Sequence, residues 1–212
     1  MLRTNFDGDP NIGLYGFATD GYCALGLNSE KARLEKELDV DAHVITILNT
    51  GLVGIFASGN SRGLILPAIM EKHEREKVKV KTLYLKSRFT ALGNLVLMND
   101  KGIILSPLLG REKREIEQFF GLRCEMTSIA GTAIVGKAGI ATNKGCLVHP
   151  KTKRREISLI EDVLQVKCDI GTVNFGSPYP GSGVIANTSG VVASQQSSGP
   201  ELGRIVEALG FL

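Results

Sequence analysis

The side chains that could carry out catalysis or hold a metal are few in this chain, and their spacing forms no active-site pattern. The three histidines are His43, His73 and His149, and none lies at a ligand spacing from a cysteine or from another histidine. The His-Glu-x-x-His pattern of zinc enzymes is absent. For His149, which precedes a proline, we expect a hydrogen-bonding role at the end of a strand.

The four cysteines also lack a metal-binding or redox spacing, because no two of them form a Cys-x-x-Cys pair. They are Cys23, Cys124, Cys146 and Cys168. Two of them follow a turn glycine and two lie in a strand after a predicted helix. Equivalent points of a repeated fold are far apart, so we expect buried, reduced thiols spread around the molecule.

One segment has a superficial likeness to a phosphate-binding loop. Residues 131–138 read Gly-Thr-Ala-Ile-Val-Gly-Lys-Ala. A phosphate-binding loop requires Ser or Thr after the Gly-Lys pair and then a helix, whereas Ala138 is predicted to lead into a strand. The sequence therefore gives no support to nucleotide chemistry, and we expect no cofactor and no metal.

A loop rich in proline and glycine is a better candidate for binding. Residues 174–183 read Asn-Phe-Gly-Ser-Pro-Tyr-Pro-Gly-Ser-Gly and include two aromatic side chains, Phe175 and Tyr179. Aromatic side chains on a loop suit a binding contact. A tight turn with both rings folded onto the core fits the same residues, and the sequence leaves both interpretations open.

Two basic segments also leave two interpretations open. Lys77, Lys79 and Lys81 alternate with valine and threonine, which predicts a strand with three ammonium groups on one face. That face could meet phosphates, or it could protect a sheet edge from pairing with another chain. Residues 151–155 place cations at a predicted helix start, where the dipole favours anions. An anionic partner or a solvated face would explain them.

The elements that position these side chains follow a repeat. Five segments each contain an apolar run, a tight turn and a second apolar run, which is the pattern of a β-hairpin. Their turn glycines are Gly21, Gly63, Gly102, Gly145 and Gly190, so successive steps are 42, 39, 43 and 45 residues. The expected hairpins begin at Gly13, Gly51, Gly93, Val135 and Gly181. A period in this range, held five times, predicts a repeat architecture.

Each hairpin is followed by a helical pattern and, in four units, by a third strand-like segment. The helices are expected at about 30–38, 68–76, 111–120, 153–164 and 200–209. The third strands are expected at 42–48, 77–82, 122–129 and 166–173. The fifth unit has little room for such a strand, whereas residues 2–6 are strand-like. We therefore predict that the N-terminal strand completes unit five and closes a ring.

This order of elements defines the expected fold. Units that mix strands with a helix exclude an all-strand propeller and an all-helix solenoid. The predicted fold class is α/β (α+β), a single domain over residues 1–212 formed by five ββαβ repeats in a ring. The repeats are expected at roughly 12–49, 50–90, 91–131, 132–176 and 177–212. Their starts would lie at one rim, where small residues and asparagines give an uncharged hydrogen-bonding surface.

Composition limits the kind of partner. The chain has 25 basic and 22 acidic residues and a net charge of +3, which is too mild for a protein that coats nucleic acid by charge alone. A mixed protein and RNA surface remains compatible with this charge. Neither a signal peptide nor a run long enough to span a bilayer is visible, so we expect a cytoplasmic protein.

Several motifs together resemble one family. They are Phe-Thr-Ala-Leu-Gly-Asn at 89–94, Gly-Asn-Ser-Arg-Gly-Leu-Ile-Leu-Pro at 59–67, Gly-Cys-Leu-Val-His-Pro-Lys-Thr at 145–152, Leu-Gln-Val at 164–166 and Gly-Thr-Val-Asn at 171–174. Taken in their order along the chain, the match runs from Gly13 over nearly the whole sequence, and these motifs resemble the translation initiation factor 6 family. The resemblance implies the pentein fold, a ring of five ββαβ units. The chain ends directly after its last helix, which is similar to the archaeal form.

The resemblance also implies a function. Such a protein binds the intersubunit face of the large ribosomal subunit, near the sarcin–ricin loop of the ribosomal RNA and adjacent ribosomal proteins. It prevents association with the small subunit sterically, without chemistry, and contributes to ribosome biogenesis through large-subunit maturation. A monomer is expected.

Site residues follow from the matching motifs. Asn94 and Asn174 stand in the family's Ala-Leu-Gly-Asn and Gly-Thr-Val-Asn elements, and Tyr179 lies in the adjoining loop. Phe175 stands where the family often has arginine, and Asn60 lies in the Gly-Asn-Ser-Arg element. All five are expected to bind the ribosome.

The competing hypothesis is a pentein-fold enzyme that acts on guanidino compounds as a hydrolase or amidinotransferase. Such enzymes resemble this ring but use a nucleophilic cysteine late in the chain. No cysteine follows Cys168, and the fifth unit offers only Ser194, Ser197 and Ser198 in that region. These residues favour the binding protein. A general RNA-binding protein is disfavoured by the small net charge and the lack of aromatic–basic repeats.

Overall fold

The structure is a ring of five three-stranded sheets. The computed structural model describes residues 1–212. The strands β1–β15 are Leu2–Thr4, Gly16–Ala18, Cys23–Leu25, Ala42–Val44, Ser58–Asn60, Gly63–Pro67, Thr82–Leu85, Val96–Met98, Ile103–Leu105, Cys124–Met126, Gly139–Ala141, Gly145–Val148, Lys167–Ile170, Val184–Ala186 and Val191–Ser194. The helices α1–α9 are Lys31–Leu38, Val53–Phe56, Lys72–Arg75, Leu92–Leu95, Lys113–Phe120, Val135–Ala138, Arg154–Leu164, Pro180–Gly183 and Gly199–Ala208. Single 3-10 turns occur at Ile12–Leu14, Asn28–Glu30 and Pro107–Leu109.

All five sheets have one topology. Units 1 to 4 contain β2-β3-β4, β5-β6-β7, β8-β9-β10 and β11-β12-β13, in which the first two strands pair antiparallel and the last two pair parallel. A parallel pair needs a crossover connection, and α1, α3, α5 and α7 provide it in turn. The five ββαβ repeats predicted from the turn glycines are confirmed.

The ring closes through the two ends of the chain. In unit 5, β14 pairs antiparallel with β15, and β15 pairs parallel with β1, so that Leu2 lies opposite Val192. The Arg3 guanidinium adds a hydrogen bond to the carbonyl oxygen of Gln195 at 2.9 Å. The N-terminal strand therefore takes the place of the missing third strand, as the sequence predicted.

Five buried apolar clusters lie around the ring, and each combines residues of one unit with residues of its neighbour. In unit 3, Ile103 and Leu105 of β9 pack with Ile116 and Phe120 of α5, and all four are buried. Burying a side chain of this size stabilises the fold by about 1.5–3 kcal/mol. Helix α5 ends at Gly121, whose φ of +63° is one that glycine adopts with little strain.

Each unit begins with a helical turn where the sequence predicted the start of a strand, so this part of the prediction is wrong. The first strands were expected from Gly13, Gly51, Gly93, Val135 and Gly181. The chain instead forms the 3-10 turn at Ile12–Leu14 or the helices α2, α4, α6 and α8, and each first strand is three residues long. Periodicity does not distinguish a short apolar run in a strand from one in a buried helical turn.

These turns meet at the centre of the ring, and glycine allows them to approach. A Cβ atom on Gly93 would overlap the carbonyl oxygens of Gly54 and Ala57. The same overlap recurs around the ring, as Gly54 against Gly13, Gly136 against Gly93, Gly181 against Gly136 and Gly13 against Gly181. The centre is thus a closed circle of five glycines, in which backbone touches backbone.

The lysine strand predicted in unit 2 does not form. Residues 77–81 are turn and irregular structure, and β7 starts only at Thr82, opposite Leu64 of β6. Because β6 begins at Gly63, which lies beside Lys81, residues before Lys81 have no strand beside them. The expected helix over 68–76 is also shorter, at Lys72–Arg75. Neither an edge-protecting nor a phosphate-facing strand exists here, although Lys77, Lys79 and Lys81 are exposed.

The cysteines are less dispersed than expected. All four are free, and Cys23 and Cys124 lie in different units, as predicted. Cys146 of β12, however, lies directly opposite Cys168 of β13. The prediction treated positions after a turn glycine and after a helix as distant, but parallel pairing brings the second and third strands together at those positions.

Candidate functional site

The strand directions give the ring two different ends. The hairpin turns of all units lie at one end, which we call the turn end: 19–22, 60–63, 99–102, 142–145 and 187–190. Third strands run parallel to second strands and so deliver the chain to the opposite end. We call this the junction end, and its loops, each leading to the next helical turn, are 5–11, 45–52, 86–91, 127–134 and 171–179.

At the turn end, polar side chains hydrogen-bond within the fold. The Oδ1 atom of Asn99 accepts bonds from the N–H groups of Lys101 and Gly102. Its Nδ2 donates to the carbonyl oxygens of Thr142 at 3.1 Å and Leu164 at 2.9 Å, both in the next unit. Asn99 is buried, so its amide is fully paired inside the protein.

Asn60 belongs to this same network. Its Oδ1 accepts from the N–H of Arg62, and its Nδ2 donates to the carbonyl oxygen of Asn99 at 3.0 Å. The residue is 2% exposed. The structure therefore separates Asn60 from the other expected ribosome-binding residues, and its side chain has no free surface to offer to a partner.

At the junction end, a glutamate on the longer helix of the following unit, which comes after its hairpin, holds three of the loops. Glu74, Glu156 and Glu201 are the third residues of α3, α7 and α9, and all are buried. Each accepts hydrogen bonds from the start of its own helix and also from a loop N–H, donated by Asn49, Ala130 or Phe175. We call this arrangement the glutamate clamp.

The glutamate clamp of Glu201 has the most partners. Its carboxylate accepts bonds from the N–H and hydroxyl of Ser198, the hydroxyl of Thr172, and the N–H groups of Phe175 and Gly176. Burial alone would raise the pKa of Glu201. The bonds donated by Ser198, Thr172 and Gly176 outweigh burial and lower that pKa below its ordinary value.

This clamp fixes an exposed phenylalanine. Asn174 and Phe175 have φ angles of +52° and +59°, which are strained for residues other than glycine. Both N–H groups are bonded, to Ser197 Oγ and to Glu201 Oε2. The Phe175 side chain points to solvent, since the residue is 85% exposed. Of the two interpretations that the sequence left open, the exposed ring is correct for Phe175.

Asn174 and Tyr179 support the same loop from within. The Nδ2 of Asn174 donates to the carbonyl oxygen of Pro10 at 3.1 Å, which ties the loop to the N-terminal segment. Tyr179 is half-buried and packs edge-on against His149, with ring centroids 5.7 Å apart. Burial, together with the charge of Lys151, lowers the pKa of His149. Its Nδ1 accepts from the N–H of Lys151 at 3.0 Å, as expected for a strand end.

Asn94 differs from every other polar residue of the molecule. It lies in α4, next to the glycine circle, and is half-buried. Its Oδ1 is the only buried side-chain nitrogen or oxygen atom without a hydrogen-bond partner. A buried polar atom without a partner is rare and destabilising, so the amide has no evident structural role.

The equivalent position of the next unit carries a buried lysine. Lys137 of α6 donates from Nζ to the carbonyl oxygens of Gly13 at 2.9 Å and Gly181 at 3.4 Å. Burial lowers the pKa of Lys137 to about 7. The lysine of the phosphate-loop-like segment therefore points into the glycine circle and not toward a nucleotide site.

The structure thus brings four of the five expected residues to one end. Asn94, Asn174, Phe175 and Tyr179 lie at the junction end, and Asn60 does not. The glutamate clamp was not predicted from the sequence. A signal was present at residues 198–201, because Ser-Gly-Pro-Glu fits the capping-box pattern at a helix start.

No group of three His, Cys, Asp or Glu side chains is placed to hold a metal ion. None of the nine helices has the length and hydrophobicity that crossing a membrane requires.

A closed ring of five ββαβ units places the protein in the pentein class of folds. A sequence model of the eIF-6 family matches residues 1–208, and the chain belongs to this family. It is 37% identical over 223 residues to Translation initiation factor 6 of Pyrococcus horikoshii, with 99% of this chain and 98% of that protein covered. The protein of the same name from Haloquadratum walsbyi is 38% identical, with 100% and 97% covered. That of Methanococcus maripaludis is 36% identical, with 100% and 99% covered.

Proposed function

We propose that this protein binds the intersubunit face of the large ribosomal subunit with its junction end and thereby prevents association with the small subunit. Family membership supports a role in translation initiation. The observation that carries the choice of surface is Asn94, whose buried Oδ1 has no partner inside the protein. A partner that donates a hydrogen bond to this atom would remove the energetic cost of leaving it buried and unpaired, so binding would be favoured.

The other junction-end residues support this surface. Phe175 would supply an apolar anchor, since aromatic side chains buried at an interface contribute most of its binding energy. Its backbone is already fixed by Glu201, so little conformational entropy is lost on binding. Asn174 and Tyr179 would hold the loop in place, with the exposed part of Tyr179 at the edge of the contact. Asn60 would act only indirectly, through the hairpin turn that it supports.

Inhibition of subunit joining would be steric. A ring bound to the intersubunit face occupies the volume that the small subunit needs, so no bond is made or broken and no cofactor is required. The mild net charge of +3 suits a partner surface made of both ribosomal RNA, near the sarcin–ricin loop, and adjacent ribosomal proteins. The same occupancy in the cytoplasm would give the protein its role in large-subunit maturation.

Hydrogen bonding in unit 5 favours this function over guanidino chemistry. Ser194 Oγ donates to Asn5 Oδ1 at 3.2 Å, and Ser197 Oγ accepts from the N–H of Asn174 at 3.1 Å. Neither hydroxyl has a histidine beside it to act as a base. We therefore propose a protein that is not an enzyme.

Sedimentation of purified subunits tests the proposal. Large and small subunits are mixed at a magnesium concentration that favours joining, with and without the protein, and are separated on a sucrose gradient. We expect the protein to travel with the large subunit and the joined fraction to fall. If the protein stays at the top of the gradient, or if joining is unchanged when it is bound, the proposal is wrong.

A further inference from the structure

The junction between units 2 and 3 is open, whereas the other four are closed. Each closed loop ends in a short antiparallel bridge: Phe6 with Asp9, Ile47 with Thr50, Ile129 with Thr132, and Val173 with Ser177. Each contains residues with positive φ that turn the chain back. Loop 86–91 has neither a bridge nor a residue of positive φ.

The sequence of this loop explains why it stays open. The first bridge residues of the closed loops are all apolar and 0% exposed: Phe6, Ile47, Ile129 and Val173. The equivalent residue here, three positions before Thr90, is Ser87, which is half-exposed. Its Oγ accepts a bond from the N–H of Phe89 at 3.2 Å. Because this position has no buried apolar side chain, the first half of the loop does not form the bridge, and only Phe89 packs against the core.

The glutamate clamp is also missing at this junction. The third residue of α5 is Glu115, which corresponds to Glu74, Glu156 and Glu201 in their helices. Glu115 is exposed and makes no hydrogen bond or ion pair. The loop N–H groups that a carboxylate binds elsewhere are therefore not bound to one here.

A groove of about 860 Å³ lies between loop 86–91 and residues 107–115, which include the start of α5. Its apolar walls include Ile69 and Leu108, which are 59% and 41% exposed. Lys86, Arg88 and Arg111 also line it, and none of them forms an ion pair. The Arg88 guanidinium stacks over the Phe89 ring, 4.6 Å from its centroid. An open groove with cations that lack carboxylate partners and with exposed aliphatic side chains has the chemistry of a recognition site.

We propose that this groove binds an extended acidic segment of a partner protein, in which carboxylates alternate with apolar side chains. Carboxylates of the segment would pair with Arg88 and Arg111 and lie where the glutamate clamp lies at three of the four closed junctions. Apolar side chains would cover Ile69 and Leu108. Alternation matches an extended strand, whose side chains point to opposite sides.

The charges of the groove favour a peptide over RNA. Glu112 and Glu115 line the same groove as the three cations, so a continuous phosphate backbone would meet two carboxylates. A peptide can place its acidic side chains beside the cations and neutral ones beside the glutamates. The groove lies at the junction end but is not lined by Asn94, Asn174, Phe175 or Tyr179, so this proposal does not depend on the ribosomal role.

Fluorescence anisotropy with a defined peptide tests the site. The probe is a fluorescein-labelled peptide of alternating Asp and Leu, about six residues long, which extends over roughly 20 Å. The test variant is Arg88→Gln with Arg111→Gln. The matched control is Lys77→Gln with Lys79→Gln, which removes two exposed charges of unit 2 outside the groove. Thermal melts establish that both variants are folded.

We expect binding to the unmodified protein, affinity about tenfold weaker for the Arg88 and Arg111 variant, and a change of less than about twofold for the control. A peptide of alternating Lys and Leu should not bind, and Ile69→Ser should weaken the acidic peptide. The proposal is overturned if the acidic peptide does not bind, or if both charge variants lose affinity equally. It is also overturned if single-stranded oligouridine binds more tightly than the peptide through the same arginines.

Discussion

The two ends of the ring use the same kind of side chain in opposite ways. At the turn end, the amide of Asn99 donates two hydrogen bonds and accepts two, all within the protein. At the junction end, the oxygen of Asn94 is equally hidden from water but has no partner. Residue type alone therefore does not separate an asparagine that stabilises the fold from one that is available for binding.

This contrast extends to the surroundings of the two residues. The turn end joins neighbouring units through paired amides such as that of Asn60. The junction end exposes Phe175, contains an open groove beside loop 86–91 and buries the charge-bearing Lys137. The polar side chains of Asn60 and Asn99 at the turn end are paired within the fold, whereas Asn94 and Phe175 at the junction end are available to a partner. Mutations at Asn99 and at Asn94 should therefore separate stability from binding.

The largest effect on stability is expected from Lys137, whose amine is buried at the junction end. Since the pKa of Lys137 is lowered from 10.5 to about 7, the unfolded chain binds more protons between these values, and the free energy of unfolding should rise with pH. The rise should reach up to about 4 kcal/mol across this range. Urea unfolding between pH 7 and pH 10 measures it. Lys137→Met should lose this pH dependence; a variant that retains it would show that another group is responsible.

Asn99→Ala should destabilise the turn end by about 3 kcal/mol, because it leaves four backbone groups, three of them in buried bonds, without their partner. Urea unfolding at pH 7 gives this value. Lys101→Ala in the same turn is the control, since Lys101 is exposed, and its effect should stay below about 0.5 kcal/mol. At a temperature where the Asn99 variant is folded, cosedimentation with the large subunit should be unchanged. Loss of binding without loss of stability would reverse the roles assigned to the two ends.

Glu201→Gln should destabilise the protein by about 2 kcal/mol at pH 7, because a neutral amide accepts the five hydrogen bonds less well than a carboxylate. The pKa of Glu201 is lowered in the folded protein, so its contribution is present above the unfolded pKa and is lost as pH falls through the folded pKa. Melting temperatures from pH 7 to pH 3 should show the two proteins converging. Glu115→Gln, at the same helix position, should have almost no effect at any pH; an equal effect would mean that the open junction is clamped in solution.

Asn94→Ser should weaken binding to the large subunit by about tenfold, which corresponds to about 1.4 kcal/mol, and leave the melting temperature nearly unchanged. The shorter side chain removes the unpartnered oxygen together with any bond to the ribosome. Quantitative cosedimentation and a thermal melt provide the two measurements. If stability and binding fall together, Asn94 is structural and the contrast with Asn99 disappears.

The sequence allowed the ring to be predicted because its signals are local and repeated. Turn glycines such as Gly63 and Gly102 mark each hairpin, and the absent third strand of unit 5 pointed to residues 2–6. The helical turns at the starts of the units were not predictable in this way. Their apolar runs are as short as strands, and what selects a helical turn is contact with a neighbouring unit, such as Gly93 against Gly54.

The candidate site was predictable only in part, for a related reason. Asn60 and Asn94 both stand in motifs shared with the family, but burial and hydrogen bonding separate them, and these depend on residues of other units. The exposure of Phe175 depends on Glu201, 26 residues away in the sequence. The alternation of Lys77 to Lys81 suggested a strand, but no neighbouring strand extends far enough to pair with it.

Closure of the ring also sets the order in which the molecule can be assembled during synthesis. The first strand pairs with residues such as Val192, so its partner is made about as late as the chain allows. Units 1 to 4 can acquire their sheets as they emerge, whereas the last sheet must wait for both ends. The loop from Asn174 to Tyr179 depends on α9 and on Pro10, and it is therefore organised last. A nascent chain would acquire the surface that we propose to bind the ribosome only when it is nearly ready to leave the ribosome that made it.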